Sequence, residues 1–412
     1  MRPQDLLPAD LDALLRRPPA EQFPGYRPDQ HRFDSPGGTL VHAAVGDAMA
    51  AYARSPYVTN DGGAFPQSRF TDRLQAWAHE EVLALLAADG GVTVFGANMT
   101  TLTSLFVRAI GERLAPGDEV VCTSLDHEAN RHPWATLWRA GVVVRVAEMA
   151  PDGTLPVDAV TSLIGPRTRW VAVTAASNVT GAVPDLAAIT KAAHAHGAGV
   201  FVDAVQATAH RVLDLREVPC DALVTSAYKW YGPHLSVLWL ADRIGPDTLR
   251  LAEQVPSAGR TGGENLALGT NNHEGLVGLA VAARVLRSWP RDRMAAAERA
   301  LFARLVAGLR DTAGVRILTP TGDPGGVPVL AFDVAGEEPE RTAARLAGHG
   351  VAVWHGSFYA SAVLRRLSPA RPTAVRAGLS AYSTEAAVDA LVDALRTRRV
   401  PDQGGPFRAE PS

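Results

Sequence analysis

Two apolar runs decide the reading of this chain. The first is Gly199-Val200-Phe201-Val202-Asp203-Ala204-Val205-Gln206. The second is Ala222-Leu223-Val224-Thr225-Ser226-Ala227-Tyr228-Lys229-Trp230-Tyr231-Gly232. Each opens with a short apolar stretch that does not alternate with polar residues, and each ends on a group that carries chemistry. Non-alternating strands belong to sheets covered on both faces, which are mostly parallel. A carboxylate closing such a strand must find a partner, because an uncompensated buried charge is costly. A lysine just past a buried strand, among aromatics, sits in surroundings that lower its pKa and free its amine for nucleophilic work.

The same pattern runs outward in both directions. Strand-like runs are expected at Val92–Phe95, Glu119–Thr123, Val142–Val146, Trp170–Thr174, Gly199–Asp203, Ala222–Thr225 and Ser236–Leu240. Helical stretches such as Met99–Leu114 and Leu186–His196 lie between them. A further helix follows Ser68, with Leu74, Trp77, Ala78, Val82, Leu85 and Leu86 on one face and Asp89-Gly90-Gly91 as its stop. Alternation of this kind predicts an α/β architecture with a mostly parallel sheet, whose ligands sit at the carboxyl ends of the strands. A long helical segment near 275–313 leads to a smaller α+β region with strands near 328–334 and 351–354 and a last helix from Thr384. The expected division is an N-terminal arm (1–32) with one short helix, a large α/β domain (33–290), a small α+β domain (291–400) and a tail (401–412).

Composition narrows the function. The chain has 412 residues and a formal net charge of −3, which gives no support to nucleic-acid or membrane-surface binding. Its longest apolar stretch, Gly275 to Ala283, is far short of a membrane span. No secretory pattern opens the chain, and with two cysteines, Cys122 and Cys220, a reducing cytoplasm is the expectation. Among 40 basic side chains only two are lysines, Lys191 and Lys229. Chemistry that needs an amine must use one of them, and Lys191 lies in a surface-looking helix.

Polar residues gather at the strand ends: Gly96-Ala97-Asn98-Met99-Thr100, Asp126-His127-Glu128, Ala176-Ser177-Asn178, Asp203 and Ser226 to Lys229. Each has an ordinary explanation, as a turn, a helix cap or a salt bridge. One ligand would use them together. An aldehyde cofactor with a phosphate and a protonated ring nitrogen needs a Schiff-base lysine and a carboxylate opposite the nitrogen. It also needs a ring cover and backbone amides for the phosphate. Pyridoxal 5′-phosphate fits that description.

The chain resembles the fold-type I, class V aminotransferase family of pyridoxal-phosphate enzymes, in particular its cysteine-desulfurase-like group. The resemblance runs from about Phe33 to Leu395. It is firmest at Gly117-Asp118-Glu119-Val120-Val121, Asp126-His127-Glu128-Ala129-Asn130 with Pro133-Trp134, and Ser177-Asn178-Val179-Thr180-Gly181. It is equally firm at Val202-Asp203-Ala204-Val205-Gln206, Ser226-Ala227-Tyr228-Lys229 with Gly232-Pro233, and Gly269-Thr270. The resemblance implies that Lys229 forms the Schiff base and shuttles the Cα proton, that Asp203 partners the ring nitrogen, and that His127 stacks on the ring. It implies Asn178 and Gln206 near the phenolic oxygen. Ala97, Asn98, Ser226 and Tyr228 are placed at the phosphate, with Tyr228 standing where many desulfurases have His. It implies a homodimer in which Thr270 reaches the neighbouring subunit's phosphate, and an α-carboxylate grip by Arg376.

Two departures from the group shape the functional expectation. The segment where desulfurases carry a mobile loop with a nucleophilic Cys reads Val353-Trp354-His355-Gly356-Ser357-Phe358-Tyr359-Ala360. Where they have His-Arg-Gly, this chain has Asn60-Asp61-Gly62-Gly63-Ala64. The expected reaction is therefore a lyase or desulfurase-like β-elimination that breaks a Cβ–S bond without a protein persulfide. The alternatives are an aminotransferase, an epimerase, a decarboxylating or C–C bond-forming enzyme, and a non-catalytic binder of the cofactor. A dinucleotide-binding dehydrogenase matches the α/β alternation but lacks a G-x-G-x-x-G turn after the first strand. Asn60, His355, Ser357, Phe358 and Tyr359 are expected around the substrate.

Overall fold

A computed structural model describes residues 2–245, 249, 251, 266–320 and 325–397. The expected tail at 401–412 lies outside them. At its centre is a seven-stranded sheet formed by Val92–Gly96, Glu119–Thr123, Val143–Ala147, Thr168–Thr174, Gly199–Asp203, Ala222–Ser226 and Ser236–Leu240. Read across the sheet from one edge, the order is 92–96, 236–240, 222–226, 199–203, 168–174, 119–123, 143–147. The 236–240 strand is antiparallel to both neighbours, and the other pairings are parallel. Six strands therefore send their carboxyl ends to one edge.

Both faces of the sheet are dry. Val200 and Val202 join one apolar cluster and Phe201 the other; Leu223 and Val224 divide in the same way. Successive residues of a strand point to opposite faces, so a strand buried on both sides needs an unbroken apolar run. That is why these strands read as they do.

Three expectations about helices change. The helix after Ser68 begins earlier, at Pro66, and runs to Leu85. The segment expected near 275–313 is two helices, His273–Ser288 and Arg291–Arg310. Pro290 lacks an amide hydrogen and disfavours a helical residue before it, and Trp289 is extended with ψ 148°. The one short α-helix expected in the N-terminal arm is confined to Leu11–Leu15, with single 3₁₀ turns at Pro3–Leu6 and Pro19–Gln22 on either side.

A four-stranded antiparallel sheet follows, ordered 354–356, 374–378, 329–334, 315–317. Val375 and Ala377 face its own core, with Phe332, Leu391 and Phe33. The intervening Arg376 faces the other way. His31–Arg32 pairs in parallel with Val351–Ala352, which ties the N-terminal segment to this C-terminal region.

One glycine secures the approach of the two sheets. Gly181 has φ +70°, and an added Cβ would run into the Val327 carbonyl and lie 2.9 Å from that of Val329. Its own carbonyl accepts from Val327 N at 2.8 Å, and its amide donates to Ser177 O at 3.1 Å. This turn carries Asn178. Gly181→Ala is expected to cost about 2–3 kcal/mol, read as a lowered Tm with reduced cofactor occupancy. An unchanged Tm would refute this account of the turn.

Candidate active site

The carboxyl edge of the large sheet gathers most of the residues expected there. A cavity at this edge is lined by Met99, Thr100, His127, Thr174, Ala176, Asn178, Asp203, Val205, Gln206, Tyr228 and Lys229. Lys229 ends the short turn Ala227–Lys229 after the 222–226 strand, and Asp203 closes the strand beside it.

Lys229 Nζ donates to the carbonyl of Pro36. Burial strips water from the ammonium, and the Arg376 guanidinium repels it; together they lower its pKa to about 7 against the pull of Asp203. About half of the amine is thus in its neutral, nucleophilic form near pH 7. Lys191 lies exposed in the helix Leu186–Ala195.

Burial raises the pKa of Asp203 to about 6, against one backbone bond, from Val205 N at 3.0 Å, and the Lys229 charge. Behind it, burial pushes Asp126 up to about 7. That carboxylate is fully engaged, accepting from Thr123 N, Thr123 Oγ1 and Asn130 Nδ2.

His127 caps the helix Glu128–Ala135, its Nδ1 accepting from Ala129 N at 3.0 Å. Burial, then Lys229 and Arg376, hold its pKa down at about 4. The imidazole is neutral at physiological pH and can lie flat over an aromatic ring without adding charge.

Arg376 is 4% exposed, yet the protein satisfies little of it. Nη1 donates to Asn178 O at 3.1 Å, Nε has no partner among the described residues, and the Phe358 ring lies 4.5 Å from the guanidinium carbon. Loss of water draws its pKa down to about 9. A buried guanidinium without a carboxylate is poised for one from outside.

Two of the side chains expected at a phosphate are already engaged within the protein. Asn98 Oδ1 is committed to capping the helix Met99–Gly111, accepting from Thr101 N and Thr101 Oγ1. What that helix start leaves open is its backbone amides, and Thr100 lines the cavity there. Ser226 Oγ is buried and accepts from Ser236 Oγ at 2.7 Å. Tyr228 stacks on His234 at 4.9 Å and lines the cavity.

Ala97, Asn98, Ser226 and Arg376 do not line the cavity themselves but adjoin residues that do, and three further expected residues stand apart. Thr270 is exposed on the surface. Asn60 is exposed as well, its carbonyl accepting from Ser68 Oγ. His355 pairs with Val375, whose side chain faces the C-terminal core. Opposed residues on antiparallel strands share a face, so His355 lies across the sheet from Arg376, and Trp354 is the residue that shares the Arg376 face. Neither Asn60 nor His355 is brought to the site within this chain. Thr174 and the Pro36 carbonyl are brought there without having been singled out, and Thr100, quoted only as the end of the Gly96–Thr100 stretch, lines the cavity. A backbone carbonyl leaves no trace in side-chain patterning, and a threonine ending a strand reads as ordinary.

The cavity fits pyridoxal phosphate on its own terms. Among the described residues, Asn178 Oδ1, Gln206 Oε1 and Arg376 Nε are buried polar atoms that find no partner, and the buried Asp203 carboxylate finds one hydrogen bond, from Val205 N. Lys229 is a buried amine. Orphaned buried groups are rare and call for a ligand. A site of this kind on this α/β scaffold defines a pyridoxal-phosphate-dependent enzyme.

Comparison with known proteins agrees. The profile of the Aminotransferase class-V family matches residues 31–391, and the chain belongs to that family. It is 34% identical over 382 residues to an uncharacterized protein of Mycobacterium tuberculosis (strain CDC 1551 / Oshkosh), covering 88% of this chain and 94% of that one. It is 30% identical over 388 residues to a cysteine desulfurase of Klebsiella pneumoniae subsp. pneumoniae, covering 89% and 92%. Among solved structures it resembles the cysteine desulfurase CsdA of Escherichia coli, with TM-score 0.82, 27% identity and coverage of 91% and 96%.

Proposed function

We propose that the protein cleaves the Cβ–S bond of a cysteine-derived α-amino acid by β-elimination, without a persulfide on its own chain. The observation that carries this reading is the pairing of an available amine, Lys229, with an unsatisfied buried guanidinium, Arg376. Similarity to cysteine desulfurases supports the choice of sulfur chemistry.

Bound in the cavity, pyridoxal phosphate would supply a cationic ring able to take up the electrons of a substrate Cα–H bond. Asp203 would hold the proton on the ring nitrogen. His127 would cover the ring and exclude water from that face. Arg376 grips the α-carboxylate, and Asn178, whose carbonyl holds Arg376, joins the carboxylate grip to the cofactor site. Lys229 Nζ would take the Cα proton and hand it to the thiolate as the Cβ–S bond breaks, and water would then turn the unsaturated amino acid released into pyruvate and ammonia; with a pKa near 7 the amine can both accept and donate.

The two thiols take no part. Cys122 and Cys220 are buried, and burial raises both pKa values, Cys220 to about 12. Neither lines the cavity. In the same proposal the enzyme works as a homodimer, with the exposed Thr270 directed to the neighbouring subunit's phosphate. No helix among the described residues is long and apolar enough to cross a membrane, and a cytoplasmic enzyme suits the reading.

The test is a panel of L-cysteine and S-substituted L-cysteines given to the holoenzyme. Stoichiometric pyruvate, ammonia and thiol or sulfide are expected. Keto acid without released sulfur, or no product from any member, would overturn the proposal.

A further inference from the structure

We propose that Tyr359 selects the substrate side chain, and that the preferred substrates are cysteine S-conjugates carrying an aromatic or bulky apolar substituent. This rests on the C–S cleavage proposed above and adds the class of substrate.

The starting observation is backbone strain. Phe358 and Tyr359 are consecutive non-glycine residues with φ +58° and +52°. Bulky side chains in this left-handed region are outliers, and such strain persists only where the surroundings hold it. Here the surroundings are the cofactor site. Asn178 Nδ2 donates to Phe358 O at 2.9 Å, and Glu128 N donates to Tyr359 O at 2.6 Å. The Glu128 carboxylate then accepts from Ser361 N and from Ser361 Oγ at 2.6 Å. The strained turn is therefore clamped to the residue after His127 and to Asn178.

The two side chains go opposite ways. Phe358 turns in, 8% exposed, and packs on Arg376, so its conformation has a structural explanation. Tyr359 turns out and is 70% exposed. It gains little from burial, and its hydroxyl has no partner among the described residues. Glycine would take this conformation at no steric cost. What the strain achieves is a tyrosine ring 5.6 Å from the ring of His127. Trp354, 49% exposed, lies directly across the strand pair from Arg376.

A substrate with its carboxylate on Arg376 and its amino group toward Lys229 must send its side chain past this aromatic rim. Aromatic faces reward apolar and aromatic substituents. The Glu128 carboxylate, on the residue whose amide clamps the turn, is occupied by Ser361.

The test compares holoenzyme of the wild type with that of three variants at one position, Tyr359→Phe, Tyr359→Ala and Tyr359→Gly. L-phenylalanine and L-alanine carry no leaving group, so their Kd values follow from the change in visible absorption on binding. Wild type is expected to bind L-phenylalanine about tenfold more tightly than L-alanine. Tyr359→Phe should keep that ratio, and Tyr359→Ala should reduce it to about twofold or less. Tyr359→Gly should lose the ratio too while its Tm stays the same or rises, which separates recognition from misfolding. An equal ratio in wild type and Tyr359→Ala overturns the proposal. If the ratios behave as stated but S-benzyl-L-cysteine releases no thiol, the C–S cleavage reading fails and the selection by Tyr359 stands.

Discussion

Lys229→Ala is expected to yield a protein that no longer holds its cofactor covalently and turns over at least about 10³-fold more slowly. Borohydride reduction followed by peptide mass analysis reads the first effect directly. The chain is well suited to this measurement because it has only two lysines. Lys191→Arg, in an exposed helix, should leave the reduced adduct on the Lys229 peptide. The pH dependence is equally specific. The Lys229 pKa is lowered from 10.5 to about 7, first by burial and then by Arg376. The nucleophilic form is the neutral amine. Covalent capture of cofactor by the apoprotein should therefore accelerate as pH rises through about 7 and level off above it. A free lysine would keep gaining to beyond pH 10. Retention of the reduced adduct in Lys229→Ala, or a capture rate still climbing at pH 10, would refute the assignment.

The strands were legible in the sequence for a physical reason. A strand buried on both faces cannot alternate, so Gly199–Asp203 and Ala222–Ser226 stand out against a background of amphipathic helices. The same logic made Asp203 and Lys229 conspicuous, because polar groups at the ends of such runs are exceptions that need a reason. Legibility failed where the outcome hangs on register or on backbone groups. His355 and Trp354 are adjacent in sequence, and only the pairing of Trp354 with Arg376 decides which of them shares the face of the site. A one-residue slip would exchange them. The Pro36 carbonyl that accepts from Lys229 has no side-chain signature. The left-handed turn at Phe358 and Tyr359 was hidden, because neither residue type advertises positive φ. The break between the helices ending at Ser288 and starting at Arg291 was written in Pro290, but the apolar periodicity on either side obscured it.

Asp203→Asn separates what this residue does for the fold from what it does for the chemistry, and the two effects should have opposite signs. In the apoprotein Asp203 is a buried carboxylate whose pKa is raised from 3.8 to about 6, chiefly by burial. The folded state then keeps a proton that the unfolded chain has lost. Stability therefore falls as pH rises from about 3.8 to about 6, and the full penalty, about 3 kcal/mol, applies above that. The asparagine carbonyl can still accept from Val205 N, so the variant removes the charge and keeps the bond. It also relieves Asp126, whose pKa Asp203 helps to raise. Apo Asp203→Asn should consequently melt higher than apo wild type at pH 8, with the advantage shrinking as pH approaches 4. With cofactor bound the order should reverse. With the proposed placement, the wild-type carboxylate would face a protonated ring nitrogen and the asparagine a neutral one, and a neutral ring accepts carbanion charge poorly. Turnover should drop about 10²- to 10³-fold, and cofactor should raise the Tm of the variant less than that of wild type. If apo Asp203→Asn melts below apo wild type at pH 8, the carboxylate is already compensated within the protein. Its assignment to the ring nitrogen would then lose its physical basis.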